Sequence, residues 1–452
     1  MSAQEIESEY RKVEAELLNR WPETKLEPSR DRIIALMDVL GNPQRAYSAI
    51  HITGTNGKTT TSRMIDTLLR ELDLRTGRTT SPHLEEVRER ICVDGEPLSL
   101  ERFVEVYQDL RPYAELVDAA QPHPLSFFEL LVGMAYAAFA DAPVDVAVIE
   151  VGLGGTWDAT NVIDAQVAVV TPISLDHTHL LGDTVEDIAW EKSGIIKPGA
   201  IAVLGRQPVE AAQVLLRHAE EVGATVAREG IEFGVIDRQV AVGGQQIAVK
   251  GLSQEYEDLF LPLYGAHQAH NAACAIAAVE AFLGAGQGGG TLEPELVRSA
   301  LAKVTSPGRL EVIRRSPTIL IDAAHNPGGA AATAEALSED FTFDHLVGVI
   351  AAMGDKDVRG VLEAFEPVFD EVVVTRNLSL RSMDVAELTE LATEVFGEDR
   401  VTSAARLDDA IDQAVALAES SVPDSSHGGV GVVITGSVVT AGDAAKLLRR
   451  KY

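Results

Sequence analysis

Apolar positions along the chain fall into two alternating kinds of run. Short, nearly continuous stretches rich in Val, Ile and Ala predict strands buried on both faces: "AYSAIHIT" (46–53), "VDVAVIEVG" (144–152), "AQVAVVTPIS" (165–174) and "AIAVLG" (200–205). Longer stretches with apolar residues at helical spacing lie between or after them: "TTSRMIDTLLREL" (60–72), "FFELLVGMAYAAFA" (127–140), "TVEDIAWEKSG" (184–194) and "VEAAQVLLRHAEEVG" (209–223). This alternation predicts a doubly wound, mostly parallel sheet with helices on both faces. Residues 1–45 read as two helical segments, with Pro28 and a cap in "LEPSRDR" (26–32) between them. The stretch 231–251 alternates around Gly-Gly and reads as a small antiparallel insertion.

Composition shifts at "FLGAGQGGGTLEPE" (282–295), which suits a flexible surface connection followed by one more helix. A second series of strands running into turns then begins: "TILIDAAHNPGG" (318–329), "HLVGVIAAMGDKD" (345–357), "EVVVTR" (371–376) and "GVVITGSVVTAGD" (431–443). The expectation is α/β throughout. A phosphate-loop, doubly wound domain spans 1–300 and a smaller Rossmann-like domain spans 301–452, with the boundary near 300–308.

Charge narrows the ligands. The 452 residues carry a formal charge of −31, which argues against nucleic acid, because duplex binding needs a cationic footprint. Cys92 and Cys274 are the only cysteines, too few for a disulfide framework or a zinc site, so a reducing, cytoplasmic compartment is expected. The N-terminus lacks an apolar core and does not read as a signal peptide. The longest apolar run, "LLVGMAYAAFA" from Leu130, is about half the length a membrane span needs. No membrane partner is expected.

One junction carries phosphate chemistry. Between strand "AYSAIHIT" and helix "TTSRMIDTLLREL" stands "GTNGKT", residues Gly54, Thr55, Asn56, Gly57, Lys58 and Thr59. Gly57, Lys58 and Thr59 match the end of G-x-x-x-x-G-K-[ST], but Ile52 stands where the first glycine belongs, so the loop is a shortened variant. Its glycines let backbone N–H groups approach a phosphate, Lys58 can bridge the β- and γ-phosphates, and Thr59 can reach Mg²⁺. The helix start adds the positive end of its dipole. A glycine turn before an ordinary helix is the plain alternative; a kinase, a nucleotide switch and an ATP-consuming ligase all remain open at this point.

Later motifs choose among them. "TTSPHL" (79–84), "LSFFE" (125–129), "IEVGLGGTWDATN" (149–161), "DHTHLLGDTVEDIAWEKSGIIKPG" (176–199), "GAHQAHNAACA" (265–275), "SPGRLE" (306–311) and "DAAHNPGG" (322–329) occur in this order. Together with the loop they resemble the folylpolyglutamate synthase and dihydrofolate synthase branch of the Mur ligase superfamily, over nearly the whole chain. That resemblance implies an ATP-binding Mur-type central domain and a C-terminal glutamate-ligase domain. It also implies a reaction: ATP phosphorylates a folate or dihydropteroate carboxylate, and the amine of L-glutamate attacks the acyl phosphate. The alternatives are a cell-wall Mur-type amino-acid ligase and a nucleotide-hydrolysing switch.

Glu150 ends a buried strand at the sheet's carboxyl edge, where such folds bind ligands; the plain alternative is a solvent-facing Glu. By resemblance Glu150 is a Mg²⁺ ligand with Ser81, and His177 serves a second Mg²⁺; a lone His beside a turn also reads as a surface residue, and by that logic His179 is structural. Lys192 resembles a lysine that the family carries as a carbamate, with Ser193 where Ala is usual; pairing with Glu191 or a phosphate is the other reading. Asn271, Arg309 and Asp322 resemble adenine, phosphate and ribose contacts, which would place the nucleotide between domains. His325 resembles a catalytic residue at the acyl phosphate or the incoming glutamate; Lys58 resembles the catalytic lysine at the phosphates, and Lys192, as a carbamate, would help hold the metal. Ser126, Phe127, Phe128, Glu129, Trp157, Asp158 and Ala159 correspond to the pterin-side pocket, though Phe127 and Phe128 on a helical run read equally as core. The family suggests a monomer.

Overall fold

The structure is a computed structural model describing residues 2–22, 28–285, 289–420 and 429–451. Leu26 and Glu27 of the expected inter-helix segment, and residues 286–288 of the glycine-rich connection, lie outside the described residues. The chain divides into two compact units, Met1–Asp237 with Ile247–Leu261 and Ala269–Val304, and Arg238–Gln246 with Pro262–Gln268 and Thr305–Tyr452.

The first unit opens with α1 (Ala3–Leu18), α2 (Asp31–Val39), β1 (Ser48–Thr53) and α3 (Lys58–Glu71). It continues through β2 (Thr76–Thr79), β3 (Ile91–Val93), β4 (Glu96–Pro97), α4 (Leu100–Ala120), α5 (Phe127–Asp141), β5 (Val146–Glu150) and β6 (Val167–Val170). Then follow α6 (Thr178–Leu181), α7 (Val185–Ser193), β7 (Ile201–Leu204), α8 (Val209–Val222) and β8 (Thr225–Arg228). Eight strands form one sheet in the order β4-β3-β2-β5-β1-β6-β7-β8, parallel from β2 to β8. Alternating side chains feed two cores. Ala49, Ala147 and Ile149 pack with α1, α2, α4 and α5 on one face, whereas Ala168, Val170, Ala202 and Leu204 pack with α7 and α8 on the other. A sheet covered on both faces has no polar alternation, which is why its strands read as continuous apolar runs.

A separate three-stranded sheet, β9 (Gly234–Ala241), β10 (Gly244–Lys250) and β11 (Glu255–Leu261), stands where the insertion was expected, with β11 beyond the stretch 231–251. Helices α9 (Ala266–Phe282) and α10 (Pro294–Ala302) follow.

The second unit contains β12 (Glu311–Arg315), β13 (Thr318–Ile321), α11 (Pro327–Asp340), β14 (Phe343–Ile350), α12 (Val358–Phe365) and β15 (Glu371–Val374). It ends with α13 (Val385–Phe396), β16 (Val401–Ser403), α14 (Leu407–Ser420), β17 (Gly429–Thr435) and α15 (Val438–Lys451). The sheet order is β12-β13-β17-β14-β15-β16, parallel apart from the β12 edge. Its two faces are covered by α11, α12 and α13 and by α14 and α15.

Candidate active site

Strands β2, β5, β1 and β6 are parallel neighbours whose register pairs Thr79 with Ile149, Ile52 with Glu150 and Thr53 with Val170. Their carboxyl ends therefore lie side by side. β2 leads to Ser81, β5 ends on Glu150, β1 enters the loop Gly54–Gly57, and β6 leads to Asp176 and His177. Ligands of doubly wound sheets bind at this edge.

The loop's glycines are fixed by conformation and by space. Gly54 has φ +143° and Gly57 φ +88°. A Cβ on Gly54 would stand 1.9 Å from Thr171 Oγ1, and one on Gly57 would stand 2.6 Å from Asn271 Oδ1. The amides of Thr55 and Asn56 donate to Pro172 O at 3.0 and 3.4 Å, and the Thr55 hydroxyl donates to Ser174 O at 3.0 Å. These two residues therefore brace the loop against the end of β6. The anion-facing amides of a helix start are those of its first turn; in α3 they precede the first i→i−4 bond, from Thr61 N to Gly57 O at 3.0 Å.

Two lysines converge on this loop. Lys58 Nζ donates to Gly54 O and Thr55 O, both at 3.1 Å, and Lys192 Nζ donates to Gly54 O at 2.8 Å. Burial first, and then the Lys58 charge, pull the Lys192 amine down to about 7. Glu191 is not its hydrogen-bond partner, which corrects one of the two sequence readings. Successive helical side chains diverge by about 100°, and the Glu191 carboxylate instead accepts from Gly155 N at 3.3 Å and Trp157 N at 3.2 Å.

Glu150 is 2 % exposed, and its Oε1 accepts from Thr59 Oγ1 at 2.9 Å. Among the described residues no three His, Cys, Asp or Glu side chains converge as metal ligands. The donor set at the loop is instead a carboxylate and a hydroxyl. Such hard oxygen donors fit Mg²⁺, which takes one or two carboxylates and completes its shell with phosphate oxygens and water. His177, at φ +51°, precedes α6 with Nε2 3.9 Å from Asp176 Oδ1, and His179 is exposed.

The expected pterin-side residues are largely engaged with the protein itself. Ser126 and Glu129 form a reciprocal cap at the start of α5, with Glu129 N donating to Ser126 Oγ at 3.1 Å and Ser126 N to Glu129 Oε2 at 2.8 Å. Arg32 Nε meets both Glu129 oxygens at 3.1 Å. The carboxylate expected to read ring N–H groups is thus held by a cap and an ion pair. Phe127 is core, with the Arg90 guanidinium 4.9 Å from its ring centroid. Phe128 lies under Gly152, where a Cβ would meet its ring at 2.4 Å. Trp157 is half-buried against the core under α7 and α8, and Ala159 is buried. Asp158 accepts from Leu153 N and Thr160 N, both at 2.9 Å, and from Thr160 Oγ1 at 2.5 Å; burial raises its pKa.

Sequence reasoning missed the residues that shape this loop. Thr160 also meets the fully buried His51 Nε2 at 2.9 Å, and Thr53 Oγ1 donates to Gly154 O at 2.7 Å. The phosphate-loop strand and the segment after Glu150 are therefore tied together by two polar residues inside an otherwise apolar strand. Their position in that strand is the only signal the sequence offers.

In the second unit, Asp322 follows β13 and is buried; it accepts from Leu310 N at 3.0 Å, Ala324 N at 2.9 Å and Thr333 Oγ1 at 3.0 Å. Arg309 Nη1 donates to Gly308 O at 3.0 Å. His325 Nδ1 lies 3.0 Å from Ala323 O, one residue before the Asn326 cap of α11. Asn271 belongs to the first unit, against Gly57.

Two α/β units, the first carrying a phosphate loop, fit the architecture of the Mur ligases, and two family models place the chain in that class. The Mur ligase middle domain matches residues 125–279, and the Mur ligase glutamate ligase domain matches residues 308–437. A dihydrofolate synthase/folylpolyglutamate synthase of Mycobacterium tuberculosis is 53% identical over 97% of this chain and 93% of its own. The Bacillus subtilis protein of that name is 31% identical over 94% of this chain and 96% of its own. The M. tuberculosis folylpolyglutamate synthase solved with ADP superposes with a TM-score of 0.94 at 52% identity, covering 98% of this chain and 99% of that one. The chain belongs to the dihydrofolate synthase/folylpolyglutamate synthase family. No helix among the described residues is long and apolar enough to cross a membrane.

Proposed function

We propose that this protein is an ATP-dependent ligase that joins L-glutamate to the carboxylate of a reduced folate, and also to that of dihydropteroate. The observation that carries this reading is the assembly of Lys58, Thr59, Glu150 and Lys192 around one phosphate loop at the carboxyl edge of four neighbouring strands. The 53% identity to a relative named for both activities supports it.

A carboxylate cannot be attacked by an amine until one oxygen becomes a leaving group. The first turn of α3 and Lys58 hold the terminal phosphates in line for transfer to that oxygen. Thr59 and Glu150 would hold Mg²⁺, with Ser81 beside them. When bound, Mg²⁺ neutralises charge on the phosphate oxygens. The family resemblance proposes Asn271 on α9 as an adenine contact, Arg309 as a phosphate contact, Asp322 as a ribose contact and His325 as a residue for the acyl phosphate or the incoming glutamate. Phe128 and Trp157 are the half-buried candidates for the ring of the acid substrate.

Lys192 is the site of a carbamate. An amine brought down to about 7 is in part neutral at physiological pH and can attack CO₂, forming an N–C bond and releasing one proton. The resulting anion would replace a second cation beside Lys58. A mass gain of one CO₂ at neutral pH, lost on acidification, is the expected signature; intact mass equal to the bare chain in bicarbonate buffer would refute it.

The same reading takes the enzyme as monomeric and cytoplasmic, with the boundary between its two domains near residues 300–308. The deciding experiment follows ADP release with ATP, L-glutamate and either dihydropteroate or tetrahydrofolate. A ligase needs both acid and amine, whereas a switch hydrolyses ATP without them. Oxygen-18 in the acid must appear in the released phosphate, and its absence would refute the acyl phosphate.

A further inference from the structure

One buried polar cluster of the first unit takes no part in the site described above. Glu229 follows the edge strand β8, and its side chain is 2 % exposed. Arg206 N, just beyond β7, donates to its Oε2 at 2.9 Å; His270 Nδ1 lies 2.5 Å from its Oε1; and Cys274 Sγ, one turn further along α9, lies 4.0 Å from Oε2. A carboxylate only accepts, so the His270 proton sits on Nδ1. Burying a charge merely to pack a helix is costly, since apolar side chains would do the same work. The cluster instead fixes something that apolar contact leaves loose, the rotation of α9 about its own axis.

That rotation matters because of the neighbouring residue. Asn271 follows His270 on α9, and its Oδ1 lies 2.6 Å from where a Cβ on Gly57 would stand. Neighbouring helical residues point about 100° apart, so holding the His270 ring at the ends of β7 and β8 sets the direction of Asn271. We propose that Glu229 and His270 are positioning residues for nucleotide binding: they clamp α9 so that Asn271 faces the phosphate loop, and they set the affinity for ATP. This rests on the reading of Asn271 as a nucleotide contact.

The test compares four variants of the full-length enzyme by KM for ATP, folate and glutamate. In Glu229→Gln the single amide oxygen can serve one donor, while the NH₂ turns a donor toward the other. The expected result for Glu229→Gln and His270→Ala is a rise of about five- to tenfold in the ATP KM, with the other two constants within about twofold. His270→Asn keeps an N–H near the Nδ1 position and should hold the ATP KM within about twofold of the native value. A purely structural role would move all three substrates together, or would leave His270→Asn as impaired as His270→Ala; either result overturns the clamp, as does an unchanged ATP KM in both His270→Ala and Glu229→Gln. Asn271→Ala separates the two layers of the reading. If it raises the ATP KM while the clamp variants do not, only the clamp fails; if it has no effect, the nucleotide role of Asn271 fails and the clamp falls with it.

Discussion

Replacing Lys192 with Met removes one buried cation while keeping most of the length of the side chain. In the native protein the amine is buried 2.8 Å from Gly54 O, and its pKa stands at about 7 against an ordinary 10.5. Between those two values the unfolded chain holds the proton and the folded chain does not, so stability rises with pH across that window. The penalty is fully present below pH 7 and is relieved as pH climbs toward 10.5. At about 1.4 kcal/mol per pH unit, the whole displacement amounts to roughly 5 kcal/mol, of which a rise from pH 7 to pH 9 recovers about 2 kcal/mol. The Met variant carries no such dependence. It loses one hydrogen bond to Gly54 O, a pH-independent offset of about 1 kcal/mol. Urea unfolding of both proteins at pH 7, 8 and 9 in carbonate-free buffer isolates the effect, because titrating groups not coupled to Lys192 cancel in the difference. The native protein should gain on the variant by about 2 kcal/mol across that range. A flat difference would refute the account of Lys192 as a depressed, buried amine. Added bicarbonate at neutral pH should stabilise the native protein and leave the variant unchanged.

Three further outcomes are expected. Lys58→Ala should lower turnover about a hundredfold or more, read as ADP release at saturating substrates; near-native turnover would remove the loop lysine from catalysis. Gly54→Ala would place a methyl 1.9 Å from Thr171 Oγ1 and 2.8 Å from Thr171 O, and should cost roughly 2 kcal/mol or more and abolish the thermal shift given by ATP. A native melt with intact ATP binding would show that the strand ends can part. Glu129→Gln removes the buried charge paired with Arg32 and should destabilise the protein by about 3 kcal/mol while changing the KM for the acid substrate less than about twofold. A tenfold KM increase with an unchanged melt would return Glu129 to the substrate pocket.

How much of this is legible without a structure depends on where each side chain finds its partners. Strands β1, β5, β6 and β7 stand out because burial on both faces demands unbroken Val, Ile and Ala. Strand β2 does not: "TGRT" is buried through polar side chains, with Thr76 Oγ1 donating to Asp66 Oδ1 at 2.6 Å and Arg78 3.6 Å from the same carboxylate. No hydrophobic pattern can report a strand whose core contacts are ionic. Strand β11 is hidden for another reason. Asp258 at φ +56° breaks its alternation, so that Tyr256, Leu259 and Leu261 are buried out of register. Helix α4, by contrast, buries Phe103, Tyr107, Leu110, Ala114 and Val117 at helical spacing and lies within reach of the same periodicity argument. In the site, the phosphate loop is readable because its chemistry is local. The duties of Ser126, Glu129 and Asp158 are not, because a motif states residue type and leaves open whether a carboxylate serves a ligand or its own backbone.

That distinction also resolves the apparent conflict between a chain of charge −31 and a polyanionic substrate. Three acids around the loop are occupied from within. Glu150 takes the Thr59 hydroxyl, Asp158 the Leu153 and Thr160 amides, and Glu191 the Gly155 and Trp157 amides. Each of these bonds shapes the segment between β5 and α7 or ties it to α3. Against them stand Lys58, Lys192 and the start of α3, all directed at one turn of backbone. The field at a phosphate is set by the groups within a few ångströms, since more distant exposed charges are screened over about 8–10 Å at physiological salt. Net charge therefore argues against an extended nucleic-acid surface without arguing against a triphosphate held at the loop. The acids that give the chain its sign are, at this edge, groups that shape the segment after β5 and hold the start of α3 to it.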